Sequence, residues 1–157
     1  MKVECWVIGK TAFSYLEEGV NIYIKRLHHY LPFEFKQLPD VKQAKNLSTQ
    51  QLKEKEGAII LKGIASNDLL ILLDEKGKQV SSVVFSKMLE QLLMSTHKRI
   101  IFLVGGAYGF SEAVYKRSDR KISLSQMTFS HQMVRLIFLE QLYRGMTILK
   151  NEPYHHE

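Results

Sequence analysis

The segment RIIFLVGGAYGF, residues 99–110, decides the fold class. After one arginine it runs through five apolar residues with no alternating polar position. A strand that buries one face alternates apolar and polar; an unbroken run of this length belongs to a strand covered on both faces, as in parallel sheets. Glycines at 105, 106 and 109 then break the run, and residues 111–117 restart as a short helix. Strand, glycine loop and helix in direct succession are the repeating unit of an α/β protein.

Working outward, the same alternation covers the chain. Residues 2–8 read as a strand and residues 11–30 as an amphipathic helix, with Phe13, Leu16, Val20, Tyr23, Ile24 and Leu27 at helical spacing. Pro32 stops that helix, and residues 33–38 form a short strand ending at Pro39. Residues 40–47 are polar, carry two lysines and read as a mobile loop. Ser48 caps a helix running to about residue 62. The run at 69–73 is a buried strand, 75–78 a turn, and 82–95 a helix. Residues 121–125 make a last brief strand before a long helix at 130–150, with Ser130 as its N-cap. The expected fold is therefore α/β: a mostly parallel sheet of about five strands with helices on both faces. No repeat, low-complexity tract or linker divides the chain, so residues 1–157 form one domain.

The composition, 45% hydrophobic and 24% charged, is that of a globular protein. Neither a signal peptide nor a long uncharged apolar stretch is present, so no membrane span is expected and the expected location is cytoplasmic. The lone cysteine, Cys5, sits in an apolar strand and reads as a buried hydrophobe. The formal charge is +6, and residues 79–157, with 10 basic and 6 acidic side chains, hold +4 of it. Such a balance fits either a solvated basic surface or a polyanionic partner such as nucleic acid.

In a parallel sheet, ligands sit off the carboxyl ends of the strands. Three segments meet there: the end of 69–73, the loop 105–109, and the end of 121–125. The glycine loop lacks the spacing of a dinucleotide fingerprint or a P-loop; it is either a tight turn or a place where ligand approaches backbone. Asp74, next in line, is either catalytic or a turn cap. The mixed small-polar and apolar stretch 124–129 suits a pocket for an adenine and a thioether, or is an ordinary loop. The 130–150 helix is apolar nearly all round, which fits a homodimer interface or a central core helix. Its arginines, Arg135 and Arg144, would need partners if buried. Glu140 is the one acid available on the helix, so an anionic ligand or an RNA phosphate is a candidate. The tail NEPYHHE places an aromatic beside two histidines, suited to stacking on an unpaired base. Adjacent histidines without a cysteine or carboxylate cluster do not suggest a metal site.

Together, LLDEKGK (72–78), FLVGGAYGF (102–110) and LSQMTFSHQMVRLIFLEQLYRGMTILKNEPYHH (124–156) closely resemble the ribosomal RNA large subunit methyltransferase H family, a compact branch of the SPOUT methyltransferases. The resemblance implies a SPOUT-type fold with a C-terminal trefoil knot and two subunits meeting at the knot. It also implies S-adenosyl-L-methionine as cofactor. The implied substrate is N3 of a pseudouridine in the helix 69 loop of 23S rRNA, within the ribosome. Carried over by position, cofactor contacts fall at Leu73, Gly105, Leu124, Ser125, Gln126, Met127, Thr128 and Phe129. Tyr154 and Arg135 are the candidates for substrate contact. His155, His156 and His131 are the candidates for accepting the N3 proton, and Arg144 for stabilising the resulting anion. Two positions depart from the family: many members carry arginine or lysine where His156 stands, and alanine where Gly145 stands. A non-catalytic RNA-binding protein and an enzyme acting on a small molecule are the alternatives from other classes.

Overall fold

In the computed structural model, which describes residues 1–156, the apolar runs become five strands of one all-parallel sheet. The strands are β1 (Lys2–Ile8), β2 (Phe33–Leu38), β3 (Asp68–Gln79), β4 (Arg99–Val104) and β5 (Arg120–Ser123), in the order β2-β1-β4-β3-β5. β4 is flanked on both sides, with Ile100 opposite Val3 of β1 and Leu69 of β3. This explains its unbroken apolar run: successive side chains point to opposite faces, and both faces are covered.

One face carries Val3, Cys5, Val7, Ile71, Ile100 and Phe102 against α1 (Ser14–Leu27), α3 (Ser82–Leu93) and α5 (Met133–Leu149). The other carries Trp6, Ile8, Leu70, Leu72, Ile101 and Leu103 against α2 (Thr49–Lys62) and α4 (Glu112–Arg117). Direction along the sheet and side of the sheet alternate together, so the four crossovers share one hand. Burial also fixes the cysteine: Cys5 is fully buried, and loss of solvation pushes its thiol up to about 12.

Local sequence accounts for the helix starts. Ser48 and Gln51 form a reciprocal capping box at α2, and the Ser81 and Ser111 hydroxyls accept from the third residue on at α3 and α4. The Ser130 hydroxyl accepts from Met133 N at 3.0 Å, holding the turn that leads into α5. The polar stretch after Pro39 is ordered around a single 3-10 turn at Ala44–Asn46.

Two expectations need correction. Residues 75–78 are not a turn: β3 continues through them, shifts register between Leu73 and Lys78, and pairs again with β5 at Ile122. Gly77 permits this, since a Cβ there would stand 2.6 Å from the Ile122 backbone nitrogen. The last helix is not equally buried all round. It lies between α1 and α3 with Phe138, Leu139 and Leu142 inside, while Met133, Ile137, Gln141, Arg144 and Ile148 form a half-buried outer stripe. Gly145, the departure from the family pattern, faces α3: a Cβ would meet Leu89 Cδ1 at 2.6 Å, so its absence lets the helices close.

Candidate active site

The carboxyl ends of β3, β4 and β5 open onto a cavity of about 640 Å³, within the usual range for small-ligand sites. Leu73 and Asp74 contribute from β3, Gly105 through Phe110 from the loop after β4, and Ser123 through Ser125 from β5. Met127 through His131 and Val134 close one side, and Lys53 of α2 another. Of the eight residues assigned by resemblance to cofactor contact, seven line this cavity; Gln126 does not.

Its walls are held by specific bonds. The Tyr115 hydroxyl donates to Asp74, whose other oxygen accepts from Lys76 N at 3.0 Å. Burial, then the Asp74 carboxylate, raises Tyr115 above the ordinary phenol range. Asp74 thus caps the strand end and anchors Tyr115, a lining residue that the sequence did not single out. The chain from β5 to α5 crosses the sheet's carboxyl edge. Ser123 Oγ donates to Ser125 O, and Met127 N to Ser125 Oγ, both at 2.9 Å. At its far end the Gln132 side chain accepts from Ala12 N at 2.8 Å and donates to Lys10 O at 3.2 Å.

Gly105 faces Phe110, not open cavity. A Cβ there would meet the Phe110 ring at 3.1 Å, so a valine at this position would press on a buried aromatic before it touched any ligand.

Arg135 requires a correction as well. It is 1% exposed, and its guanidinium donates to Ile8 O at 2.6 Å, Gly9 O at 2.9 Å, Thr11 Oγ1 at 3.2 Å and His131 O at 3.3 Å. Its partners include the carbonyl of Ile8 at the end of β1 and that of Gly9 just beyond it, and not a substrate anion. It braces α5 against the sheet end, and its burial keeps it from RNA. Burial, with the Arg135 charge second, lowers His131 from its ordinary value, so this cavity-wall imidazole is held neutral.

The remaining candidates gather elsewhere. Arg144 donates to Glu140 at 2.5 and 3.1 Å, and its Nη1 lies 3.0 Å from His155 Nδ1. The Tyr154 ring packs edge-on against Tyr143 with the Arg144 guanidinium 4.7 Å from its centroid. Its hydroxyl contacts Tyr23 and donates to Glu140, each at 3.1 Å. The Glu140 hydrogen bond raises Arg144, and burial raises Tyr154. His156 is exposed, and Glu157 lies outside the described residues. Arg144 stands 10 residues beyond Val134 on one helix, or about 15 Å at 1.5 Å per residue. Within one chain the structure therefore brings His131 to the cavity and Arg144, Tyr154 and His155 to each other, and does not join the two sets.

A doubly covered parallel sheet with a cavity across its strand ends defines an α/β ligand-binding enzyme fold. The chain belongs to the SPOUT methyltransferase family: the family described as "Predicted SPOUT methyltransferase" matches residues 1–155. Its relatives include proteins named ribosomal RNA large subunit methyltransferase H. That of Parabacteroides distasonis is 60% identical over the whole of both chains. Those of Christiangramia forsetii and Flavobacterium johnsoniae are 57% identical over 99% of each chain and 54% identical over all of each. The protein is a methyltransferase. No helix among the described residues is long and apolar enough to cross a membrane.

Proposed function

We propose that this chain uses S-adenosylmethionine to methylate N3 of a pseudouridine in the helix 69 loop of 23S rRNA, in the cytoplasm and on the ribosome. The observation that carries the reading is the cavity itself. Its apolar wall of Leu73, Val104, Leu124 and Phe129 suits an adenine and a thioether, and its strand-end loops offer backbone amides and Ser123 and Ser125 hydroxyls to a ribose. The relatives' names supply the RNA class. When bound, the cofactor supplies an already activated methyl group, so the protein's share is positioning and electrostatics.

The residues divide that share. His131, kept neutral on the cavity wall, is suited to take the N3 proton. The Arg144–Tyr154–His155 cluster lies too far along α5 to serve its own chain's cavity. The half-buried outer stripe of α5 offers a surface for a second copy, and a homodimer across it would carry one subunit's cluster to the other's cavity. There Tyr154 stacks on the target base and Arg144 meets the developing anion. The same reading makes the crossing of residues 124–132 over the sheet edge the threaded part of a trefoil knot.

Mass spectrometry of the helix 69 loop from cells with and without the gene tests the target. The methyl mark should disappear on deletion and return with the gene; its persistence would refute the assignment. Purified protein with tritiated S-adenosylmethionine and ribosomes should label the same nucleotide, which separates transfer from RNA binding alone.

A further inference from the structure

The chain has 16 phenylalanine, tyrosine and tryptophan residues, and three of them are exposed: Phe13 at 51%, Tyr15 at 61% and Tyr108 at 59%. All three lie at the carboxyl edge of the sheet. Phe13 and Tyr15 stand where the chain leaving β1 enters α1. Tyr108 belongs to the tight turn after β4, where Gly109 N donates to Gly106 O at 3.2 Å. β1 and β4 are parallel neighbours, so both connections emerge side by side. Phe13 and Tyr15 stack on each other, with ring centroids 5.7 Å apart and planes 27° from parallel. Helical spacing placed Phe13 on the core face of α1. Instead it occupies the N-cap position, where polar side chains are preferred, and it caps no amide. Neither core packing nor capping accounts for the pair.

The pair adjoins the cavity. The Gln132 side chain ties Lys10 and Ala12 to the start of α5, and its neighbour His131 is on the cavity wall, as is Tyr108. Lys10 is exposed on the same connection, and Lys42 and Lys45 on the segment after β2, whose Asp40 sits against Gly9. None of these three lysines enters an ion pair among the described residues. At the amino edge, by contrast, Lys2 and Arg99 are matched by Glu4, Glu34 and Asp68. Unmatched cations beside flat exposed rings suit single-stranded nucleic acid: the charges follow the phosphates and the rings take bases of any sequence. Resting on the reading of rRNA as substrate, we infer that Phe13 and Tyr15 form a platform on which an unpaired base flanking the target stacks. The target itself then enters the cavity past Tyr108.

Ribosomes from cells lacking the gene, mixed with the full chain and S-adenosylhomocysteine, report binding without turnover; tritiated S-adenosylmethionine reports transfer. The double variant Phe13→Leu, Tyr15→Leu keeps apolar bulk but removes both flat faces. It should weaken ribosome binding and raise KM for ribosomes about tenfold, the scale of one stacked base. Its kcat, its S-adenosylhomocysteine affinity by calorimetry and its melting midpoint should stay near wild type, and Tyr15→Phe should bind as wild type does. Unchanged ribosome affinity and KM in the double variant would overturn the platform. So would a parallel loss of S-adenosylhomocysteine affinity, which would mark the pair as a prop for the cavity. A change in mass by light scattering would overturn it too, marking the pair as a contact between subunits. Ring-dependent ribosome binding without methyl transfer by wild type would remove the methylation reading and keep the platform. Transfer indifferent to the rings would do the reverse.

Discussion

Replacing Arg135 with methionine sets two large effects against each other. The substitution keeps length and flexibility but removes five N–H donors. Thr11 can turn its hydroxyl to another partner, whereas the carbonyls of Ile8 and Gly9 sit at a closed strand end. At about 1–3 kcal/mol for each orphaned buried group, the loss is about 2–6 kcal/mol. Against this, a desolvated guanidinium with no carboxylate bonded to it is no longer buried, which returns part of the cost. We expect a net destabilisation of about 2–3 kcal/mol. For a chain of this length that lowers the melting midpoint by roughly 4–12 °C. Urea titration with an unchanged slope would show that the native state, and not the unfolded one, has been altered. The same variant should raise the His131 titration midpoint seen by NMR, since the Arg135 charge is one of the two causes that lower it. An Arg135→Met protein as stable as wild type, with His131 unmoved, would refute the bracing role and reopen Arg135 as a substrate contact.

Truncation after Pro153 should cost stability as well as activity, about 1–3 kcal/mol, because Tyr154 has two hydrogen-bond contacts and a ring contact with α1 and α5; an unchanged urea midpoint would mean the tail does not dock. Ile137→Glu on the outer stripe of α5 should yield a monomer by light scattering, where wild type should give about twice 18.2 kDa; a wild type that is itself monomeric would refute the dimer, and a mutant that stays dimeric would place the interface elsewhere. His131, lowered in the folded state, leaves the unfolded chain binding the proton first. Stability should therefore be complete above about pH 6.5 and fall as pH drops through the unfolded and then the folded value, and His131→Asn should flatten that slope.

Much of this fold was legible because its parallel strands are buried on both faces, so residues 2–8 and 99–104 announce themselves as strands by continuity alone. The cavity was legible by topology: three strand ends that read as neighbours in sequence do meet. What escaped depended on partners far along the chain. β3 runs past residue 73 because Gly77 admits the β5 backbone, a contact with no local signature. Arg135 looked like a phosphate ligand because an arginine in an apolar helix needs partners, and sequence offers no view of the β1 carbonyls that supply them.

The order of the strands bears on how the protein comes to be made. β1 pairs with β4 across 97 positions of chain, from Lys2 to Arg99, and β5 is the last strand to be synthesised. Contacts so distant in sequence must wait for most of the chain, which slows folding. The cavity waits longest, since its lid is the segment between β5 and α5. A nascent chain stopped before residue 124 would hold all five sheet strands and none of that lid. Ligand affinity is thus acquired only after the whole sheet has been made, and a molecule that binds has already closed that segment over its strand ends.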